Sequence, residues 1–491
     1  MNRIKDILET KGISQRELAE MLGKSYNMVN AYVQNRQQPR LEVLFEIAKL
    51  LDVDAKELLS ESAVFSKKRL TFIDLFAGCG GLSEGFLETG EYEALAHVEW
   101  ELPMVNTLRA RLKTRWQHNE VEALKRVVHF DIQKTDELIR GNWQAESIKK
   151  YGKSNHPIII ETGLKGIVGN RKVDLIIGGP PCQAYSIAGR AQDKDSMRFD
   201  YRNYLFESFV SVVSEFKPEI FVFENVPGIL SAKPGDQPVT KRIYAAFQKA
   251  GYTVLVPEKL KNAVYSAYDF GVPQRRNRVI IIGVRNNSEY RPEDIYRSID
   301  VFKDEKSKKT VLDSIGKLPA YWPLEKPRKE NGRNISHFCE TLIPPRHHDA
   351  RYHNERDVSV FRHWIINEMN KKSNEEKINF YNKLLGKNSN HAKYRNLEWD
   401  KPSPTIVAHL YKDGLMFIHP DEQQARSITV KEAALLQSFP DDFEFRGSQG
   451  DCFKMIGNAV PPEMAKGIAC GIVKSLKNYE QEKEDAYSRS M

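Results

Sequence analysis

Two segments of this 491-residue chain carry residues whose types and spacing suit chemistry. In TFIDLFAGCGG (71–81) an apolar run ends in a glycine cluster, Gly78, Gly80 and Gly81, and in VDLIIGGPPCQ (173–183) a second apolar run delivers a thiol, Cys182, onto a Pro180-Pro181 turn. Open α/β sheets bind ligands beyond the carboxyl ends of their strands, so the two segments together set a rigidly held nucleophile beside a cofactor site. The glycine spacing departs from G-x-G-x-x-G, because Ser83 stands at the third glycine position, which argues against a nicotinamide dinucleotide. The run YEALAHVE ends in Glu99, eighteen positions after Gly81 and close to the offset at which a carboxylate reaches ribose hydroxyls; Trp100 beside it offers a face to an adenine. Taken alone, the glycine turn is as readily a purely structural strand-turn-helix, and a lone buried cysteine is usually structural too.

The elements that must position these residues follow from hydrophobic patterning. Residues 1–60 show apolar positions at helical spacing in five short stretches, a compact all-helical unit, and 61–70 form a linker. From 71 to 285 strand-like runs (VDLIIGGPP, EIFVFENV, NRVIIIGV) alternate with helical stretches, the pattern of a doubly wound parallel sheet. Residues 286–425 are polar and irregular, with basic clusters such as KDEKSKK and KPRKENGR, and read as a separate, surface-rich domain. Ordered patterning resumes over 426–475 as a return segment, before a charged tail at 476–491.

Five motifs in order, FIDLFAGCGG, PPCQ, FENV, QRRNR and GNAVPP, resemble those of DNA (cytosine-5) methyltransferases of the bacterial restriction-modification type over roughly 71–285 and 426–470. The resemblance implies a Rossmann-like, S-adenosylmethionine-dependent methyltransferase sheet with a smaller target-recognition domain at 286–425. It implies that Cys182 adds to carbon 6 of a cytosine flipped out of duplex DNA, which makes carbon 5 nucleophilic enough to take a methyl group. Glu224 then faces the ring nitrogen and exocyclic amine, Arg278 the carbonyl oxygen, and Arg276 the catalytic loop or the phosphate. By the same resemblance Phe76, Gly78 and Gly80 line the S-adenosylmethionine pocket, Glu99 meets the ribose, Trp100, Asp131 and Ile132 the adenine, and Asn458 closes the far side. Ala459 stands where some relatives have a serine that bonds the cofactor. In the lid-like loop QAYSIAGRAQDKDSMR, Gln183, Ser186 and Arg190 are the expected contacts to phosphate or to the vacated space. Arg426, Glu432 and Gln437 read as structural.

Residues 1–60 resemble the helix-turn-helix of phage-repressor type regulators: Ser14-Gln15-Arg16-Glu17 is a capping box and Gly23 makes the turn before a second helix. Gln15 is placed to hold a phosphate, and Tyr26, Asn27 and Asn30 lie where base edges are met. Nine basic and nine acidic residues cancel in this segment, so it has no strong electrostatic footprint and is expected to bind specifically but weakly, or only as a dimer. The resemblance implies repression at a promoter operator of the methyltransferase or of a partner restriction enzyme; the competing reading is a helical extra that only aids nonspecific DNA binding. The expected partner of the whole is double-stranded DNA, the expected role protection of host DNA, and the catalytic half is expected to work as a monomer.

Composition sets the outer limits. No apolar run approaches the length of a membrane span, and MNRIKDILETKG lacks a secretory signal, so a cytoplasmic bacterial protein is expected. Five cysteines without CxxC pairing fit neither a disulfide framework nor a zinc module, and His347, His348 and His353 lack a thiol partner at zinc spacing, so no metal is assigned. The net charge of +8 suits a polyanion without demanding one. Two other readings compete: a tRNA cytosine-5 methyltransferase, which shares the fold and a PPCQ-like motif, and a helix-turn-helix regulator with a degenerate methyltransferase half. The long segment at 286–425 and the fused helical module favour DNA over tRNA, and the filled catalytic positions weigh against degeneracy.

Overall fold

A computed structural model describes residues 2, 4–34, 37–53, 55–58, 69–181, 205–234, 237–304, 308–412 and 414–490. Cys182, Gln183, Ser186 and Arg190 lie outside the described residues. The chain divides into two compact units, Met1–Arg69 and Leu70–Met491.

The first unit is helical: α1 (Ile4–Lys11), α2 (Gln15–Met21), α3 (Tyr26–Val33), α4 (Leu41–Leu50) and α5 (Ala55–Leu58). The capping box sets the start of α2, where Ser14 Oγ accepts from the Glu17 N–H and the Glu17 carboxylate accepts from the Ser14 N–H at 2.7 Å. Gly23, at φ +60°, makes the turn, and Ser25 caps α3. Leu18 and Val29 close the angle between α2 and α3 over Ile4, Ile47 and Leu58, all of them buried.

In the second unit β1 (Leu70–Leu75), α6 (Gly81–Glu88), β2 (Tyr92–Glu99), α7 (Leu102–Thr114), α8 (Glu120–Arg126) and β3 (Val127–His129) build one half of a sheet. Helices α9 (Thr135–Arg140), α10 (Ala145–Tyr151) and α11 (Pro157–Val168) then lead to β4 (Leu175–Gly178), α12 (Leu205–Phe216), β5 (Ile220–Asn225), α13 (Val239–Lys249), β6 (Tyr252–Thr253), β7 (Val264–Ser266), β8 (Gln274–Arg275) and β9 (Asn277–Arg285). The strand order is β3-β2-β1-β4-β5-β9-β6, with β7 also paired to β9. Strands β1 to β5 are parallel, and the order reverses between β1 and β4, which opens a crevice at their carboxyl ends. Strands β4 and β5 are buried along their whole length, as continuous apolar runs between two helical layers should be. The run NRVIIIGV, read as part of the parallel set, is antiparallel to β5, with Glu224 opposite Ile280. An unbroken apolar run reports burial on both faces and says nothing about direction.

Beyond the sheet come α14 (Pro292–Asp300), α15 (Val311–Ile315), β10 (Tyr321–Glu330), β11 (Arg333–Cys339), α16 (Glu355–Ile366), α17 (Asn374–Leu385), β12 (Ser403–Pro404), α18 (Val430–Leu436), α19 (Gln449–Asn458) and α20 (Pro462–Ser490). Although α14 falls in the compositionally polar stretch, its Ile295, Tyr296 and Ile299 share the sheet's core with Ile468 and Ile472 of α20. Val311 and Ile315 join Leu397, Ile406, Leu436 and Phe453 in a second cluster, and a third gathers Phe361, Trp364, Tyr381 and Tyr394. The chain therefore leaves the sheet gradually rather than at one hinge.

The return of the chain depends on close helix contact. A Cβ on Gly85 of α6 would sit 2.4 Å from the Pro462 carbonyl oxygen and 2.5 Å from the Ala465 Cβ, so only glycine lets α6 and α20 touch backbone to backbone. The Tyr92 hydroxyl donates to the Ala469 carbonyl at 2.8 Å across the same seam. Among the described residues no helix is long and apolar enough to cross a membrane.

Candidate active site

Where β1 ends, the backbone turns through Phe76 (φ +58°), Gly78 (φ +57°) and Gly80 (φ +91°) before α6 begins. A positive φ at a phenylalanine is costly and persists only where the surroundings enforce it, as they do at ligand sites. The turn borders a cavity of about 560 Å³ walled by the carboxyl ends of β1 to β5 and by α19. Phe76, Gly78, Glu99, Trp100, Asp131, Ile132, Glu224, Arg278 and Asn458 all line it, so residues spread over almost 400 positions of sequence converge on one space. Two expected residues do not line it. Gly80 caps α6, and a Cβ there would meet the Leu108 Cδ2 at 2.5 Å, so it shapes the turn from behind. Arg276 is 1% exposed and donates to the carbonyls of Ile406 (2.8 Å), Gly457 (2.9 Å) and Ala459 (2.9 Å). Its guanidinium thus braces the turn that carries Asn458, and the loop that it is expected to meet lies outside the described residues.

Glu99 ties the site together. Its Oε2 accepts from the Gly78 N–H at 2.8 Å and its Oε1 from the N–H groups of Trp100 (2.8 Å) and Glu101 (2.9 Å), so the glycine turn and the end of β2 are held in register. Burial pushes its carboxyl up to about 7, and those three N–H donors offset part of the push. Trp100, 48% exposed, presents its ring on the open side of the cavity.

On the other side of the crevice, Glu224 at the end of β5 pairs with Arg278 of β9, Oε1 to Nε at 2.6 Å. Gly179 makes room for this carboxylate, since a Cβ there would lie 2.5 Å from the Glu224 Oε2. Asn225 Nδ2 donates to the Pro180 carbonyl at 3.2 Å, fixing the turn that precedes Cys182 in sequence. Gly179, Pro180 and Pro181 line the same cavity.

Two features escaped the motifs. Beneath the cavity, Ser83 donates to Asp74 and lies 3.1 Å from His97 Nδ1, a wholly buried cluster in which Ser83 does polar work that the third glycine of a dinucleotide loop could not. At the rim, Lys454 Nζ sits 2.7 Å from both carboxylate oxygens of Glu101, joining α19 to the start of α7. The cavity's titratable lining is acidic: Asp74, Glu99, Glu101, Asp131 and Glu224 against Arg278 and Lys454.

The histidines at 347–353 are occupied within the fold. His348 Nδ1 meets Thr429 Oγ1 at 3.0 Å and its Nε2 the Pro319 carbonyl at 2.8 Å; His353 Nε2 meets Ser427 Oγ at 3.1 Å; His347 Nε2 accepts from the Phe445 N–H at 3.1 Å. Burial lowers all three below the usual histidine range.

In the helical unit, Tyr26 (47% exposed) and Asn27 stand on the open first turn of α3, while Asn30 and Gln15 are half-buried. Gln15 opens α2, and its Oε1 has no hydrogen-bond partner among the described residues.

Residues 70–142 and 146–474 match the family described as C-5 cytosine-specific DNA methylase, and residues 4–58 match a helix-turn-helix family. The Type II methyltransferase M.Bpa9945I of Bacillus paralicheniformis is 36% identical over 449 residues, covering 83% of this chain and 99% of that protein. The Type II methyltransferase M1.HphI of Haemophilus parahaemolyticus is 31% identical over 412 residues, covering 83% and 88%. A crystal structure of a prophage-encoded DNA modification methyltransferase from E. coli shares the fold at a TM-score of 0.50 and 23% identity, over 83% of this chain and 99% of that one.

Proposed function

The chain belongs to the C-5 cytosine-specific DNA methylase family, and from that premise we propose that it methylates carbon 5 of a flipped cytosine in a specific duplex sequence through a covalent bond from Cys182. The observation that carries the reading is the shared crevice: the Glu224–Arg278 pair and the braced Pro180-Pro181 turn face the same cavity as Glu99, Trp100 and Asp131.

The cavity fits S-adenosylmethionine. Its acidic lining suits a sulfonium and an ammonium group and would repel the pyrophosphate of a dinucleotide. When bound, the cofactor supplies an electrophilic methyl group for carbon 5. Glu99 accepts from the ribose hydroxyls, Trp100 covers the adenine, Asp131 and Ile132 border it, and Asn458 closes the site. Toward the base, the Cys182 thiolate bonds to carbon 6, the π bond between carbons 5 and 6 breaks and its electron pair becomes available at carbon 5; Glu224 stabilises a proton at N3 and Arg278 donates to the carbonyl oxygen. Loss of the carbon 5 proton then expels the thiolate and restores the ring. Gln183, Ser186 and Arg190 hold the phosphate or the space the base has left.

Glu99 makes cofactor binding pH-dependent. With the free site's carboxyl near 7, about a tenth of the molecules carry the accepting carboxylate at pH 6 and most carry it at pH 8, so the apparent Kd for S-adenosylmethionine should be about tenfold weaker at pH 6. Calorimetry across pH 6–8 checks this, and Glu99→Gln should bind weakly with a flat profile. A sloping profile in that variant would assign the dependence elsewhere.

Within a restriction-modification system this activity protects host DNA, and residues 1–60 bind an operator through Tyr26, Asn27 and Asn30 of α3, with Gln15 on a phosphate, to set expression. Transfer of labelled methyl to duplex DNA and to tRNA, followed by bisulfite sequencing, tests the catalytic reading: incorporation into DNA at one sequence supports it, and incorporation into tRNA alone overturns it. Deleting residues 1–60 should abolish promoter binding and raise expression; unchanged expression rejects the regulatory part.

A further inference from the structure

Among the described strands, β10 and β11 pair only with each other, as a two-stranded hairpin. Its turn, Asn331-Gly332, has both residues at positive φ (+45° and +78°), the tight connection that matches the twist of two strands. At its base Tyr321, Ser336 and His337 are buried, and Pro323 pairs with His337. Between Pro323 and Arg328 the register slips, with four residues of β10 set against Ser336 alone, and such a bulge bends a ribbon away from its starting plane. Beyond the bulge every residue from Arg328 to Asn334 is exposed. A two-stranded ribbon with both faces in water is marginal by itself, so this outer half has no internal packing reason to extend.

Its side chains say what it meets. Lys326, Arg328, Lys329 and Arg333 outnumber Glu325 and Glu330, and Glu330 is engaged by Arg328 at 2.7 Å. Lys326, Lys329 and Arg333 form no ion pair among the described residues. Cross-strand pairing puts Lys329 directly opposite Asn334 on one face, and Glu330 opposite Arg333, beside Arg328, on the other. One face is thus partly charge-compensated, while the other offers an ammonium and an amide side by side. The major groove, about 12 Å wide, admits a two-stranded ribbon, and lysine and asparagine are suited to guanine and adenine edges.

We infer that the outer half of this hairpin enters the major groove of the substrate duplex, with Lys329 and Asn334 reading base edges and Lys326 and Arg333 on flanking phosphates. This rests on the DNA methyltransferase reading and names the element that selects the sequence. The test uses the full chain on a randomised duplex library, scored by bisulfite sequencing, with cofactor binding as the check on folding. Lys329→Ala with Asn334→Ala should relax discrimination about ten- to a hundredfold at one or two base pairs. Lys326→Gln should weaken all sequences alike and lower the slope of log KM for DNA against log salt by about 1. If the double variant keeps the wild-type site and discrimination, or loses rate equally on every sequence, the hairpin does not read bases, although wild-type methylation of the library still upholds the enzyme. If the wild type methylates no member, both readings fall.

Discussion

Cys182→Ala should lower methyl transfer to duplex DNA on the order of 10⁴-fold or more while leaving the affinity for S-adenosylmethionine unchanged. The size follows from the reaction: carbon 5 of cytosine is a poor nucleophile until a thiolate adds at carbon 6, and among the described residues that line this crevice no other group can form that bond. The four other cysteines offer no substitute. Cys79 and Cys452 are buried and burial holds their thiols above the usual range, Cys470 is raised by burial as well, and Cys339 lies on β11. Because the residues we propose for the cofactor, Glu99, Trp100 and Asn458, are not the thiol, binding and chemistry should separate cleanly in this variant. Single-turnover transfer with labelled cofactor, alongside calorimetry, reads both; a variant retaining a tenth of the wild-type rate would remove Cys182 from the mechanism.

Glu432→Gln should cost about 3–5 kcal/mol of stability at pH 7. Arg426 donates to both carboxylate oxygens of Glu432 at 2.7 and 2.8 Å, and the Thr429 N–H donates at 2.7 Å, with both charged side chains 1% exposed. Burial pushes the Glu432 carboxyl up, but the Arg426 guanidinium outweighs it and holds the group far below the usual carboxylate range. An amide keeps the shape and leaves Arg426 buried without a counter-charge. The sign in pH follows from the depressed value: the carboxylate's contribution is complete above the ordinary range near 4.5 and fades only as pH falls below it. Urea unfolding at pH 7 and pH 4 should therefore show a gap between wild type and variant that narrows in acid. Less than 1 kcal/mol at pH 7 would mean that the pair is dispensable, whereas Arg426→Met with Glu432→Leu should recover much of the loss.

The site was legible in the sequence where strands end. TFIDLF, VDLIIGG and FVFENV are apolar runs stopped by glycine, proline or a lone polar pair, and a strand end of that kind puts the next side chain at the carboxyl edge of the sheet, which is where Phe76, Pro181 and Glu224 stand. What stayed hidden depends on partners far away in the chain. Arg276 lies between β8 and β9 and reaches the Ala459 turn, whereas Arg278, within β9, meets Glu224. Nothing in QRRNR names either of these distant partners. The direction of β9 and the burial of α14 in the sheet core likewise depend on pairing with strands and helices that no local window contains. The Ser83, Asp74 and His97 cluster brings three segments together, and only its serine left a trace, as the residue that broke a familiar glycine spacing.

The rim pair of Glu101 and Lys454 joins residues 353 positions apart. At synthesis rates of roughly 5–20 residues per second, about 20 to 70 s separate the two on a ribosome. For the later part of that interval, once β5 is made, the nascent chain owns the strand ends of the cavity but not α19, the wall that carries Asn458. The same arithmetic separates the helix-turn-helix unit, finished first, from the methyltransferase unit, finished last: each molecule completes the smaller unit well before its means of marking DNA.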